Sequence, residues 1–80
     1  MKVVVRFFAR FREELGANQV ELSLADGATL TDILNCVFKG DPPGHLLIAI
    51  NGQLVGGADL SRIRLKDGDV VDVMPPASGG

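Results

Sequence analysis

The sequence predicts one α+β domain, a mixed sheet of four to five strands with one main amphipathic helix on one face. Three observations predict it. Strand-like segments recur along the chain, either β-branched and continuous or strictly alternating. One segment, residues 29–38, carries a clear helical stripe. Between them stand the turn dipeptides Asp26-Gly27, Asn51-Gly52 and Asp67-Gly68.

Lys2 to Phe8 reads Lys-Val-Val-Val-Arg-Phe-Phe. It is apolar on both faces for most of its length, which suits a central strand. Ala9 to Leu15 places Phe11 and Leu15 at helical spacing before Gly16, as in one or two turns closed by a glycine. Val20, Leu22 and Leu24 alternate with Gln19, Glu21 and Ser23, giving a strand with one wet face.

The main helix starts at Thr29, a good N-cap, with Asp32 placed as in a capping box. Leu30, Ile33, Leu34, Val37 and Phe38 then fall on one stripe. Gly40 is expected to supply the stop, and Pro42-Pro43 prevents continuation.

Leu46 to Ile50 reads as a short buried strand, turning at Asn51-Gly52 into a return strand from Gln53 to Val55 that Gly56-Gly57 ends. Residues 58–66 are irregular, with Leu60, Ile63 and Leu65 tucked inward. Asp69 to Met74 is the last strand, with Val71 and Val73 inward and Asp72 outward. The domain is thus residues 1–74, and residues 75–80 form an extended Gly-Gly tail.

Composition narrows the function classes. Charged residues are 22% of the chain and the formal net charge is -2, unlike the strongly basic balance of a nucleic-acid binder. Arg6, Arg10 and Arg12 are followed at once by Glu13 and Glu14 and read as a solvated patch. No apolar run approaches the roughly 20 residues of a membrane span, and no signal peptide is visible. The single cysteine allows no internal disulfide, so a reducing cytoplasm is expected.

Self-contained catalysis finds little support. Cys36 and His45 are the only members of their types, and a metal site needs three or four ligands. Cys36 lies beside the helical stripe and His45 follows a Pro-Pro-Gly loop, so both read as structural. The glycines lack the helix and Lys-Ser/Thr of a phosphate loop.

The tail is different. Pro75 and Pro76 restrict the backbone to extended conformations. Ala77, Ser78, Gly79 and Gly80 then shrink to almost no side chain. Six extended residues reach roughly 20 Å, enough to carry the carboxylate of Gly80 into another protein. A narrow channel closes easily around a backbone without Cβ atoms. A free carboxylate is a poor electrophile, so acyl transfer needs prior activation as a mixed anhydride with a nucleotide phosphate. A Gly-Gly end by itself also fits a frayed terminus.

Four segments carry a resemblance across essentially the whole chain. They are residues 5–13 (Val-Arg-Phe-Phe-Ala-Arg-Phe-Arg-Glu), 49–52 (Ala-Ile-Asn-Gly), 65–69 (Leu-Lys-Asp-Gly-Asp) and 75–80 (Pro-Pro-Ala-Ser-Gly-Gly). The chain resembles the ubiquitin-like β-grasp sulfur carriers, above all the small molybdopterin synthase subunits of the molybdenum cofactor pathway. The resemblance implies a β-grasp fold and a working cycle centred on Gly80. An adenylating enzyme of the ubiquitin-activating type would activate Gly80 with ATP and magnesium, and a sulfur donor protein would convert it to a thiocarboxylate. The tail would then enter the large catalytic subunit, in a heterotetramer, and give its sulfur to a pterin precursor.

In these terms Gly80 carries the sulfur, Gly79 keeps the approach slim, and the chain itself binds no cofactor. It is a sulfur-donating subunit without its own active site. Docking would use an apolar surface near the tail, formed by Phe8, Phe11 and Met74 with Pro75, Pro76, Ala77 and Ser78; Phe8 and Phe11 could instead pack under the first loop. Carriers for thiamine, cysteine or tRNA thiolation, and ubiquitin-like modifiers conjugated to lysines, have nearly the same tail. A plain interaction module is the third alternative.

Overall fold

A computed structural model describes residues 1–55 and 59–76. The expected glycine stop at Gly56-Gly57 and the tail residues Ala77, Ser78, Gly79 and Gly80 lie outside the described residues. The elements run β1 (Lys2–Phe7), α1 (Arg10–Leu15), β2 (Gln19–Ser23), α2 (Leu30–Val37), β3 (Leu47–Ile50), β4 (Gln53–Leu54), a 3₁₀ turn (Leu60–Arg62) and β5 (Val70–Met74). The sheet order is β2-β1-β5-β3-β4. Among the described residues only β1 and β5 pair in parallel, with Val5 opposite Val71 and Arg6 opposite Asp72; the other pairs are antiparallel. A mixed sheet holding one main helix on one face is the β-grasp architecture expected above.

Alternation along each strand sends one set of side chains toward α2. Val3, Val5 and Phe7 of β1, Ile48 of β3, and Val71 and Val73 of β5 are buried with Leu30, Ile33 and Leu34 of α2. Leu65 joins them, and Leu60 and Ile63 pack at the margin. The helix begins on a complete capping box. Thr29 Oγ1 accepts from the Asp32 amide at 3.3 Å, and Asp32 Oδ2 accepts from the Thr29 amide at 2.9 Å. Its end comes earlier than expected. Phe38 is the C-cap, and Lys39 and then Gly40 both take positive φ, 55° and 84°. The Gly40 amide then donates to the Asn35 carbonyl at 2.8 Å, the closing bond of a Schellman motif.

Two turns fasten the sheet. Asn51 and Gly52 both have positive φ, 51° and 86°, as a two-residue hairpin of type I′ requires. Asn51 also accepts from the Val70 amide at 2.9 Å and donates to Asp69 at 3.0 Å, tying the hairpin to β5. In the second turn the carboxylates serve the backbone. Asp67 Oδ1 accepts from the Lys2 amide at 2.7 Å, and Asp69 Oδ2 from the Lys66 amide at 2.8 Å.

Two sequence expectations about burial need correction. The run from Leu46 to Ile50 is not uniformly buried: Leu47 is 39% exposed, because β3 alternates and Ile48 takes the inward place. Asp72 does face away from the helix, yet it is only 7% exposed. The Arg6 side chain lies over it as an ion-pair partner.

Between β1 and α1 the backbone is strained. Ala9 sits at φ 54°, ψ −132°, close to the first central position of a type II′ turn, where glycine is normal. The Phe11 amide donates across this turn to the Phe8 carbonyl at 3.2 Å.

Two substitutions test this account. Ile33→Asp puts an unpaired carboxylate under the sheet and should cost about 3 kcal/mol or more, a large share of the ~4–12 kcal/mol available to a domain of this size. A urea midpoint equal to that of the unaltered protein would show that the helical stripe is not core. Ala9→Gly should raise stability by about 1 kcal/mol by removing strain. A lowered melting temperature would contradict the strain assignment.

Candidate functional site

The tail leaves the sheet from its central strand. β5 ends at Met74, opposite Leu47 of β3, and the Phe8 amide donates to the Val73 carbonyl at 3.2 Å. Phe8, Leu47 and Met74 therefore meet at the point where Pro75 and Pro76, both half-buried, begin the tail. All three side chains belong to the sheet face that α2 does not cover, by the alternation of β1, β3 and β5.

Register extends this face sideways. Gln19 lies opposite Arg6, Arg6 opposite Asp72, Asp72 opposite Ala49, and Ala49 opposite Leu54. Leu54 is 68% exposed and Phe8 is 36% exposed. The face thus presents Phe8, Leu47, Leu54 and Met74 around a polar centre. Exposed apolar clusters of this kind mark interaction sites.

That centre is a forked ion pair. Arg6 Nε donates to Asp72 Oδ1 at 2.6 Å and Arg6 Nη2 to Asp72 Oδ2 at 2.8 Å. Two parallel charge-assisted bonds fix the guanidinium plane. The hydrogen bond to Asp72, and then its negative charge, raise the pKa of Arg6 above its ordinary value. The Arg6 guanidinium carbon also lies 5.8 Å from the centroid of the Phe8 ring, within cation–π range.

The structure divides the expected docking residues. Phe8 and Met74 are on the face, as expected. Phe11 is not: it is 1% exposed and packs edge-on against Phe38 with ring centroids 5.5 Å apart. The turn at Ala9 separates the two phenylalanines, sending Phe8 outward and Phe11 into the core. The arginines separate as well. Arg6 belongs to the sheet face, whereas Arg10 lies near Glu14 at 3.8 Å and over the Phe11 ring. They form no common patch. Gly79, Gly80, Ala77 and Ser78, the other expected site residues, lie outside the described residues.

Sequence reasoning missed Leu47, Leu54 and the role of Arg6 and Asp72. Alternation could have found Leu47, since an inward Ile48 forces its neighbour outward. The Arg6–Asp72 pair needs the parallel register of β1 and β5, which no local pattern gives.

Cys36 and His45 are both exposed. Cys36 borders an open groove of about 290 Å³ between α1, α2 and β2, lined by Phe7, Leu15, Val20, Leu22 and Val37. Among the described residues no three His, Cys, Asp or Glu side chains cluster as metal ligands. No helix among them is long and apolar enough to cross a membrane.

Comparison with known proteins fits this geometry. A family model, the ThiS family, matches residues 5–80. The chain is 35% identical over 85 residues to the molybdopterin synthase sulfur carrier subunit of Chlamydomonas reinhardtii. It is 33% identical over 92 residues to small archaeal modifier protein 3 of Haloferax volcanii. Both alignments cover 100% of this chain and 100% of the relative. A chain in the solved complex of subunits 1 and 2 of molybdopterin-converting factor from Helicobacter pylori 26695 matches at a TM-score of 0.66. It is 28% identical, with 100% of both chains covered. By fold and by sequence the chain belongs to the ThiS family of ubiquitin-like sulfur carriers.

Proposed function

We propose that the chain carries sulfur on Gly80 for molybdopterin synthesis, as the sulfur-donating subunit of a molybdopterin synthase. The observation that carries this reading is the exit of β5. The central strand ends at Met74 beside Phe8 and Leu47, and Pro75-Pro76 then lead into Ala77-Ser78-Gly79-Gly80. An apolar face thus lies where the chain runs on into its slim Gly-Gly end. The face docks on an enzyme while the tip enters its active site.

The chemistry follows in order. The Gly80 carboxylate attacks the α-phosphorus of ATP, with magnesium held by the activating enzyme, and pyrophosphate leaves. The acyl carbon is then part of a mixed anhydride with AMP. A donor's sulfur adds to that carbon and AMP departs with the bonding pair. With a persulfide as the donor this forms an acyl disulfide. A thiolate then attacks the donor-side sulfur and forms a disulfide with it, and the S–S bonding pair leaves on the outer sulfur as the thiocarboxylate of Gly80. Gly79, lacking a Cβ, leaves the acyl carbon open to attack. The chain itself supplies no acid, base or metal to these steps. Its contribution is position, and the large subunit supplies the precursor site.

The Chlamydomonas reinhardtii relative supports the molybdopterin reading, and the Helicobacter pylori complex supports a second subunit as partner. ATP-dependent activation implies a cytoplasmic setting. The Haloferax volcanii relative favours a second reading. In it, a lysine amine, not sulfur, attacks the activated Gly80 and an isopeptide bond forms.

Intact mass separates these readings. After incubation with ATP, magnesium, the activating enzyme and a sulfur donor from the same source, the protein should gain the mass of one oxygen-for-sulfur exchange, mapped to Gly80. The thiocarboxylate should then restore precursor conversion by the large subunit. A lysine adduct through Gly80 would select the modifier reading, and an unchanged mass with active partners would overturn both. Deleting Gly80 should abolish transfer and leave the melting temperature nearly unchanged. A large fall in melting temperature would show that the tail belongs to the core.

A further inference from the structure

Arg6 occupies an unusual place for a charged residue. It stands on the open sheet face between Gln19 of the edge strand β2 and Asp72, with Phe8 next to it on its own side of the chain and Ala49 and Leu54 beyond Asp72. A face built only for hydrophobic docking would carry an apolar side chain there, as the interior positions of good interfaces are depleted in charge.

Asp72 does not exhaust what Arg6 offers. A guanidinium has five N–H donors. Two go to Asp72, so three remain, and no other acceptor takes them among the described residues. The Arg6 side chain is 46% exposed while that of Asp72 is 10% exposed. Water therefore reaches the outer edge of the guanidinium but hardly reaches the carboxylate. The fork with Asp72 and the contact with Phe8 hold that edge in one orientation.

Docking removes this water. A partner with a purely apolar surface would leave charged N–H groups buried without acceptors, which is costly. A partner with an oxygen opposite Arg6 would gain a charge-assisted bond to a donor already oriented. We propose that Arg6, held by Asp72, is a specificity-determining residue of the docking face. It selects partners whose apolar contact surface presents a hydrogen-bond acceptor, a carbonyl or carboxylate oxygen, opposite the guanidinium. The neutral pair leaves the face without net charge, so the selection acts through geometry more than through long-range attraction.

This rests on the reading of the sheet face as the docking surface, and the test separates the two. The probe is the activating enzyme from the same source, since both readings of the chain require it. Carrier-dependent ATP–pyrophosphate exchange gives KM for the carrier and kcat separately. The first variant is Arg6→Leu with Asp72→Ala, which removes both charges together and leaves neither buried alone. Its KM should rise at least about tenfold, the scale of one charge-assisted hydrogen bond. Its kcat and melting temperature should stay near those of the unaltered chain. Arg6→Lys, which keeps the charge and loses the fork, provides a second variant should the first not fold; its KM should also rise.

Leu54→Ala is the control for the face. A raised KM in Leu54→Ala and in the Arg6 variants supports the proposal. A raised KM in Leu54→Ala with an unchanged or lowered KM in the Arg6 variants overturns it and leaves the docking face standing. An unchanged KM in all three overturns the docking face, and the proposal with it.

Discussion

The parallel pairing of β1 and β5 is the constraint on which the rest of the molecule depends. These strands come from opposite ends of the sequence, yet they stand side by side with Arg6 opposite Asp72 and Phe7 opposite Val73. Their junction is fixed at both ends. At the start of β1, Asp67 takes the Lys2 amide and the Gly68 amide reaches the Lys2 carbonyl at 2.7 Å. At the end, the Phe8 amide meets the Val73 carbonyl. Between them the Arg6–Asp72 fork spans the two strands. This pairing makes β5 central, and a central strand is a stable base from which to project a tail. It also brings Phe8, from the beginning of the chain, next to Met74, from its end.

The sheet separates two tasks by its faces. One face is closed by α2 and supplies stability, through Val3, Val5, Val71 and Val73 packed on Leu30 and Ile33. The other is open and carries Phe8, Leu47, Leu54 and Met74. A period of two is enough to make this division, because neighbouring residues of β5 serve different tasks: Val73 holds the helix and Met74 stands at the tail exit. Substitutions in the first set should therefore act mainly on stability and, under the proposed function, those in the second mainly on binding.

Much of this was legible because the signals are local. The capping box at Thr29 and Asp32, the stripe from Leu30 to Phe38, and the Asn51-Gly52 turn each depend on a few adjacent residues. The structure reproduces all three. The expected tail is a separate case, since Ala77, Ser78, Gly79 and Gly80 lie outside the described residues. What escaped were features set by register or by a single backbone angle. Phe8 and Phe11 look equivalent in sequence, and only the strained turn at Ala9 assigns one to the surface and the other to the core. Arg6 reads naturally with Arg10 and Arg12, its sequence neighbours, but its partner lies 66 positions away. The positive φ of Lys39 before Gly40 at the helix end was hidden because left-handed lysine is unfavourable and is held there by the Schellman bond.

The division between tip and body bears on how such a carrier finds its pathway. Under the proposed function the tip has to be slim and chemically plain, and Ala77, Ser78, Gly79 and Gly80 carry few side-chain atoms by which one enzyme could prefer this chain to another. Discrimination must then come from the body, and within the body from the face that travels with the tail. An apolar ring alone discriminates poorly, because hydrophobic contact is non-directional and tolerant of small mismatches. A fixed polar group inside that ring is directional, and the cost of leaving it unmatched penalises the wrong partner more than it rewards the right one. The Arg6–Asp72 fork has this character. It is rigid and electrically balanced, and its outward donors lie where docking would strip their water away. In a family whose members share a fold, such a group would let one body be told from another while the chemistry proposed at Gly80 stays the same.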